Sequence, residues 1–147
     1  MSLNLPLDHF IPRSYIRDER LRLQAYRELA AAEDEPQLDG IFRSLRDRYG
    51  PPPAQLDNLA YSLRVKLRGQ RIGLRSVVAD GPEVVLTVDP VRPLDVDELV
   101  RRHAGRLRVT PNRLKLQRRG EGWRTDLLDL LAAMEELYQG ARINAGV

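Results

Sequence analysis

The sequence IPRSYIRDERLRLQAYRELA occupies residues 11–30, and LDGIFRSLRDRYGPPP occupies residues 38–53 after a short acidic gap. Apolar residues recur at intervals of three and four in both parts, which is the spacing of one helix face. The second part ends in Gly-Pro-Pro-Pro, which a helix cannot continue through. These residues therefore predict two successive amphipathic helices closed by a rigid joint.

The first of these helices has a recognisable start. Asp18 is placed as its N-cap, and we expect the helix to run to about Ala32. The expected buried face comprises Leu21, Ala25, Tyr26 and Leu29. Before it, Pro6 and Pro12 interrupt residues 5–16, which predicts an edge strand or an extended surface arm.

The second helix has the more regular stripe, and a third helix repeats its spacing after the prolines. The first stripe is Leu38, Ile41, Phe42, Leu45 and Tyr49, and the second is Leu56, Leu59, Ala60, Leu63 and Leu67. Gly50 supplies the residue after the helix end. Two matching stripes joined by a short rigid turn predict an antiparallel helix pair.

From Leu74 onward the apolar residues alternate, which is typical of strands. Residues 74–79 and 83–88 flank Asp80-Gly81-Pro82 and predict a β-hairpin. Two further strands are expected at residues 106–109 and 113–117.

Two helices complete the expected order. A short one is predicted after Asp95, with Glu98 as its capping partner, and Gly105 ends it. A last helix begins near Thr125, and its wide Leu-rich stripe predicts deep burial. The order predicts an α+β fold, with N-terminal helices packed with a small antiparallel β-sheet and a long C-terminal helix.

The composition is that of one soluble domain spanning residues 1–147. Hydrophobic residues make up 42% and charged residues 31%, and no apolar run is long enough to cross a bilayer. Cysteine is absent, which excludes disulfides and favours the cytoplasm. We also expect the isolated domain to be a monomer without membrane contact. Residues 1–4 are interpreted as a candidate cloning remnant.

All but two of the 24 basic residues are arginine, and the formal net charge is +3. Two interpretations stay open. One is a GC-rich genome, whose codons favour arginine. The other is a surface whose arginine side chains bind carboxylates or phosphates through bidentate hydrogen bonds.

No catalytic or metal-binding pattern is present. Gly69 to Gly73 lacks the Lys-Ser/Thr of a phosphate-binding loop, and no G-x-S-x-G elbow occurs. His9 and His103 have no further ligand at metal-site spacing, so we interpret both as solvent-exposed. We therefore expect no enzyme activity, catalytic residue, metal or cofactor in this chain.

The outward face of the second helix carries polar residues near its end. A rotation of about 100° per residue places Asp47 opposite the apolar stripe. Ser44 is expected on the same outer side, flanked by Arg43 and Arg48. A solvated charged face is the ordinary explanation of such residues.

Several ordered motifs of this chain resemble the C-terminal domain of the bacterial transcription-repair coupling factor. They are the Ile11-Pro12 start, Arg20-Leu21, Tyr26-Arg27 and the ending Asp47-Arg48-Tyr49-Gly50-Pro51. The resemblance extends from about Leu5 to Tyr138 and is most specific in the first third. It implies a regulatory domain of an ATP-dependent DNA translocase that displaces stalled RNA polymerase from damaged DNA.

The resemblance also implies partners and contact residues. Arg43, Ser44, Asp47 and Arg48 would help dock this domain onto the N-terminal repair module of the same parent protein. Docking would mask the surface that recruits the excision-repair damage-recognition protein. ATP and Mg would serve the parent motor only. Ser44 stands where the family usually has an acidic residue, so one arm of the docking contact differs here.

An alternative function is nucleic-acid binding through residues 101–119, a segment with eight basic and no acidic residues. Arg113, Lys115, Arg118 and Arg119 would contact the phosphates. Trp123 would then stack on a base, although a tryptophan just before an apolar helix more often belongs to the core. A free-standing enzyme is a third alternative, which the absent motifs disfavour.

Overall fold

A computed structural model describes the backbone of residues 1–145 and the side chains of residues 1–138. The described helices are α1 (Glu19–Ala31), α2 (Glu35–Tyr49), α3 (Ala54–Arg71), α4 (Val96–Arg102) and α5 (Trp123–Ala145). The strands are β1 (Ser2–Asn4), β2 (Ser76–Asp80), β3 (Glu83–Thr87), β4 (Leu107–Thr110) and β5 (Arg113–Gln117). The α+β prediction is confirmed.

The chain divides into two compact units, one of residues 6–67 and one of residues 1–5 with 68–147. The first unit is helical, and its core is built from the apolar stripes of α1, α2 and α3. Ala25, Leu29, Leu38, Leu45 and Leu56 are its buried helical residues, together with Ile11 and Ile16 from the preceding segment. The predicted stripes of α2 and α3 therefore meet in one core.

The helix boundaries follow capping residues, of which Asp18 and Gly50 were predicted and Asp34 was not. Asp18 accepts hydrogen bonds from the backbone amides of Arg20 and Leu21, which fixes the start of α1. Asp34 caps α2 in the same way, with Pro36 in the first turn. Gly50 ends α2 at φ 89°, a conformation that side-chain-bearing residues rarely adopt.

Of the two alternatives for residues 5–16, the edge strand is wrong, because the segment forms no strand, although Leu5, Ile11 and Ile16 in it are buried. A second expectation is also wrong in detail. Leu21 was expected in the core, but 42% of its surface is exposed. The first turn of α1 therefore lies beyond the part of the helix that the core covers.

The second unit contains a five-stranded sheet in the order β1-β2-β3-β5-β4. The predicted hairpin is confirmed, since Asp80 pairs with Glu83 across Gly81 and Pro82. The four strands β2 to β5 are antiparallel, as expected, but β1 pairs parallel to β2 and makes the sheet mixed. Residues 2–4, interpreted above as a cloning remnant, form this edge strand.

One face of the sheet is apolar and buried by helices. Val77, Val84, Leu86, Leu114 and Leu116 alternate on that face and are almost fully buried. The long helix α5 packs against β5 and carries an equally buried stripe of Leu127, Leu130, Leu131 and Met134. Trp123, at the start of α5, is 5% exposed and belongs to this core.

Candidate docking surface at the end of α2

The end of α2 is held in place by Tyr15 from the segment before α1. Its hydroxyl donates to the carbonyl oxygens of Gly50, at 2.8 Å, and Leu45, at 3.2 Å. Its ring meets that of Tyr49 at a centroid distance of 5.6 Å. Burial raises the pKa of the Tyr15 hydroxyl, and the positive charge of Arg46 partly offsets this increase. The hydroxyl thus donates to the Gly50 carbonyl oxygen, which lies just past the last turn of α2, and also contacts the Leu45 carbonyl oxygen within that helix.

Arg43 and Asp47 project from the exposed face of α2, as predicted for Asp47. Both residues are exposed, and neither side chain forms a hydrogen bond or ion pair with any residue that the structure describes. Asp47 lies in the last turn, next to the negative end of the helix dipole, where a carboxylate is unfavourable. Fold stability does not explain an acidic residue at this position.

Ser44 and Arg48 lie on an adjoining face, which corrects the expectation that Ser44 shares the outer side with Asp47. Ser44 is half-buried and lines a narrow crease between α1 and α2, as Arg48 does. Gln24 and Glu28 form the α1 side of this crease. The α2-end patch, defined as Arg43, Ser44, Asp47 and Arg48, therefore spans one exposed face and the rim of a crease.

Glu28 is a residue of this surface that the sequence analysis did not identify. It is exposed and lines the same crease as Ser44 and Arg48. Glu28 follows Leu21 by seven residues, so both lie on one side of α1. That spacing could have identified Glu28 once the exposed position of Leu21 was known. Its carboxylate gives the surface an acidic group that Ser44 does not supply.

The arginine-rich segment, residues 101–119, presents its charges differently. Arg101 and Arg102 both donate to Glu98, and Arg102 also donates to Glu136. These hydrogen bonds lower the pKa of Glu98 below its ordinary value of 4.5, and those from Arg102 do the same for Glu136. Arg106 and Arg108 of the same segment are also paired with carboxylates, so carboxylates hold four of its arginines.

These two pairs are Arg106, just before β4, with Asp126 at 3.0 Å and Arg108, in β4, with Glu83 at 2.9 Å. Among the residues named as nucleic-acid contacts, Arg118 donates to the Gly81 carbonyl oxygen. The side chains of Arg113, Lys115 and Arg119 have no hydrogen-bond or ion-pair partner in the described chain. Arg113 and Lys115 lie on the sheet face opposite the core, in a shallow trough with Val78 and Val85.

The nucleic-acid alternative requires an exposed aromatic side chain beside these basic residues, and Trp123 does not provide one. Trp123 is buried, so its expected role in base stacking is wrong and its placement in the core is right. Nucleic-acid contact through Arg113, Lys115, Arg118 and Arg119 stays a prediction.

The expectation that both histidines are solvent-exposed is wrong. His103 is 3% exposed, and its Nδ1 lies 3.0 Å from the Leu99 carbonyl oxygen of its own helix. His9 is half-buried, with its Nδ1 2.7 Å from the Ser62 hydroxyl. No group of three or more His, Cys, Asp or Glu within the described residues is arranged to hold a metal ion. Within the same residues, no helix combines the length and apolar character of a membrane span.

The sequence and the fold of the chain match one known family. The TRCF domain model matches residues 5–99, so the chain belongs to the TRCF domain family. This result confirms the resemblance found in residues 11–53.

Two curated relatives carry the same name. The chain is similar to the transcription-repair-coupling factor of Mycobacterium bovis, with 38% identity over 77 residues, which are 52% of this chain and 6% of that protein. It is similar to that of Staphylococcus haemolyticus, with 25% identity over 143 residues, which are 92% of this chain and 12% of that protein. The chain thus spans a small part of the length of these relatives.

A solved structure shares the fold. The crystal structure of a C-terminal domain of transcription-repair coupling factor matches with a TM-score of 0.75 and 18% identity. The match covers 94% of this chain and 91% of that chain. At this identity the match establishes the fold alone.

Proposed function

We propose that this chain is a regulatory domain that docks, through the α2-end patch, onto the N-terminal repair module of the same longer protein. That protein would be an ATP- and Mg-dependent DNA translocase that displaces stalled RNA polymerase and recruits excision repair to damaged DNA. Docking would mask the surface that recruits the damage-recognition protein and would restrain the motor. Membership of the TRCF domain family supports this proposal at the level of the domain.

The observation that carries the proposal is the unpaired Asp47. A carboxylate in the last turn of a helix opposes the helix dipole and gains nothing from the rest of the chain here. Arg43, one turn earlier on the same face, is equally without a partner. Such a surface is complementary to a partner surface that places a basic residue opposite Asp47 and an acidic residue opposite Arg43.

The rigidity of the helix end supports the same interpretation. The Tyr15 hydroxyl donates a hydrogen bond to the Gly50 carbonyl oxygen, and Gly50-Pro51 ends the helix immediately after Tyr49. The side chains of Asp47 and Arg48 therefore project from a fixed backbone, which lowers the entropy cost of docking. Because the linker of one polypeptide raises the effective concentration, a modest contact is sufficient for such an intramolecular switch.

The test is Asp47→Ala in the longer protein. If the α2-end patch holds the docked state, the variant raises basal ATPase activity and increases binding of the damage-recognition protein. The magnitude expected for loss of one charged interface contact is about 2 kcal/mol of docking free energy. Asp80→Ala is the matched control, since Asp80 is also exposed but lies on the hairpin. Unchanged ATPase and unchanged partner binding in Asp47→Ala would refute the proposal.

A further inference from the structure

A second surface lies in the unit of the sheet, where the β2–β3 turn meets the end of β5 and the edge strand β4. We call it the hairpin-end depression. Its lining residues are Pro82, Glu83, Arg108, Gln117, Arg118 and Arg119. It shares no residue with the α2-end patch.

Two of the lining residues each carry a buried polar atom without a partner. Gln117 Oε1 and Arg118 Nε are buried and form no hydrogen bond with any residue that the structure describes. The first is an acceptor and the second a donor. Leaving such a group unpaired is unfavourable, so a change that pairs both recovers free energy. Both residues are only half-buried as a whole, so rotation of their side chains can present these atoms to a ligand.

The charge of the depression is positive. Glu83 is the acidic residue of the lining, and Arg108 engages both of its carboxylate oxygens, each at 2.9 Å. Arg119 is exposed and unpaired, and Arg118 donates only to the neutral Gly81 carbonyl oxygen. Two guanidinium groups are therefore left without a carboxylate, which favours a ligand with negative charge.

The unpaired acceptor distinguishes between two classes of anionic ligand. A phosphodiester backbone offers only acceptors, so it would leave Gln117 Oε1 unpaired. A peptide backbone carries an N–H donor and a C=O acceptor at every residue, and acidic side chains add the negative charge. The combination of one acceptor, one donor and unmatched guanidinium groups fits a peptide better than a nucleic acid.

We propose that the hairpin-end depression binds an extended acidic peptide segment of a partner protein. A backbone carbonyl of the peptide accepts from Arg118 Nε, and a backbone N–H donates to Gln117 Oε1. A peptide carboxylate pairs with the Arg119 guanidinium. This contact is separate from docking through the α2-end patch and does not depend on it.

Fluorescence anisotropy with the full chain tests the proposal. The probe is a fluorescein-labelled peptide of alternating Glu and Ser, compared with one of alternating Gln and Ser and with labelled single-stranded oligo-dT. We expect the acidic peptide to bind at least about tenfold more tightly than either of the other probes. Arg119→Gln and Gln117→Met should each weaken its binding about fivefold.

The matched control is Arg27→Gln, which removes the same charge from an exposed position on α1. It should change the affinity less than twofold, and Trp123 fluorescence should report the same fold in every variant. Three results would overturn the proposal: equal affinity for the acidic and the Gln-Ser peptide, oligo-dT bound more tightly with the same dependence on Arg119, or loss of affinity in Arg27→Gln equal to that in Arg119→Gln.

Discussion

The α2-end patch and the arginine-rich segment both carry exposed charge, but they differ in what that charge contacts. Arg43 and Asp47 have no partner in the described chain. Arg101, Arg102, Arg106 and Arg108 are each paired with a carboxylate of the same unit. Charge density along the sequence therefore overstates the arginine-rich segment, since four of its eight basic side chains are paired with carboxylates, whereas the charged side chains of Arg43 and Asp47 on the exposed face of α2 are both unpaired.

The largest effect that this comparison predicts is on stability, in the paired region. Asp126→Ala should lower the free energy of unfolding by about 1–2 kcal/mol, because it leaves Arg106 unpaired and removes an acid from the first turn of α5. The Asp126 side chain is 19% exposed, and that of Arg106 is 40% exposed. Urea unfolding followed by Trp123 fluorescence measures the change.

Asp129→Ala is the control for that experiment. Asp129 lies one turn further along α5 and is exposed, without a partner in the described chain. Its removal should change the free energy of unfolding by less than about 0.5 kcal/mol. Equal losses in the two variants would show that the pairing of Arg106 contributes nothing.

The next effect concerns the rigidity of the α2 end. Tyr15→Phe removes the hydroxyl that holds the Gly50 and Leu45 carbonyl oxygens, and should cost about 0.5–1.5 kcal/mol. Tyr49→Phe is the matched variant, since no hydrogen bond of its hydroxyl is found in the described chain. Thermal unfolding should rank Tyr15→Phe clearly below Tyr49→Phe, and the reverse order would contradict the role assigned to Tyr15.

A smaller effect of opposite sign is expected at Asp47. In this chain alone, Asp47→Ala should leave the free energy of unfolding unchanged or raise it by about 0.3 kcal/mol, since an unfavourable interaction with the helix dipole is lost. Chemical unfolding at low ionic strength gives the comparison with Asp126→Ala. A loss above about 1 kcal/mol would mean that Asp47 has a structural role, and would weaken the docking proposal.

The smallest effect is a pH dependence in the paired region. The pKa of Glu98 in the folded chain is lowered by hydrogen bonds from Arg101 and Arg102, so its ionised form stabilises the fold. This contribution is complete above its ordinary value of 4.5 and is lost as the pH falls through the lower, folded-state pKa. Glu98→Gln should therefore flatten the decrease in urea midpoint below about pH 4.5.

Glu121→Gln serves as the control for the pH experiment, because Glu121 is exposed and its carboxylate has no partner in the described chain. It should retain the slope of the unaltered protein. If Glu98→Gln retains that slope as well, the exposed arginine pairs of α4 do not contribute to acid stability.

Residue spacing predicted most of the fold because each helix and strand buries one periodic face. The caps Asp18 and Asp95, the Gly50 stop and the Gly81-Pro82 turn are local signals, and the structure confirms them. The strand β1 could not be predicted in the same way. It has three residues, too few to show a period, and it pairs with β2 more than seventy positions later in the sequence.

Burial of single residues was less predictable than the elements. Leu21 shares the helical face of Ala25 and Leu29, but its burial depends on whether another element covers the first turn of α1. The same limit applies at the candidate surface. Spacing placed Asp47 outward, yet the crease that separates Ser44 and Arg48 from it, and adds Glu28, depends on the pairing of α1 with α2. The spacing of apolar residues along one helix does not determine which other helix packs against it.

Trp123 gives the chain a built-in optical reporter. It is the single tryptophan, it is buried, and it lies in the unit of residues 1–5 and 68–147. Four of the five tyrosines lie in the unit of residues 6–67. Tryptophan emission and tyrosine near-ultraviolet signals therefore follow different units, and coincident melting curves would show that residues 1–147 unfold as one cooperative domain.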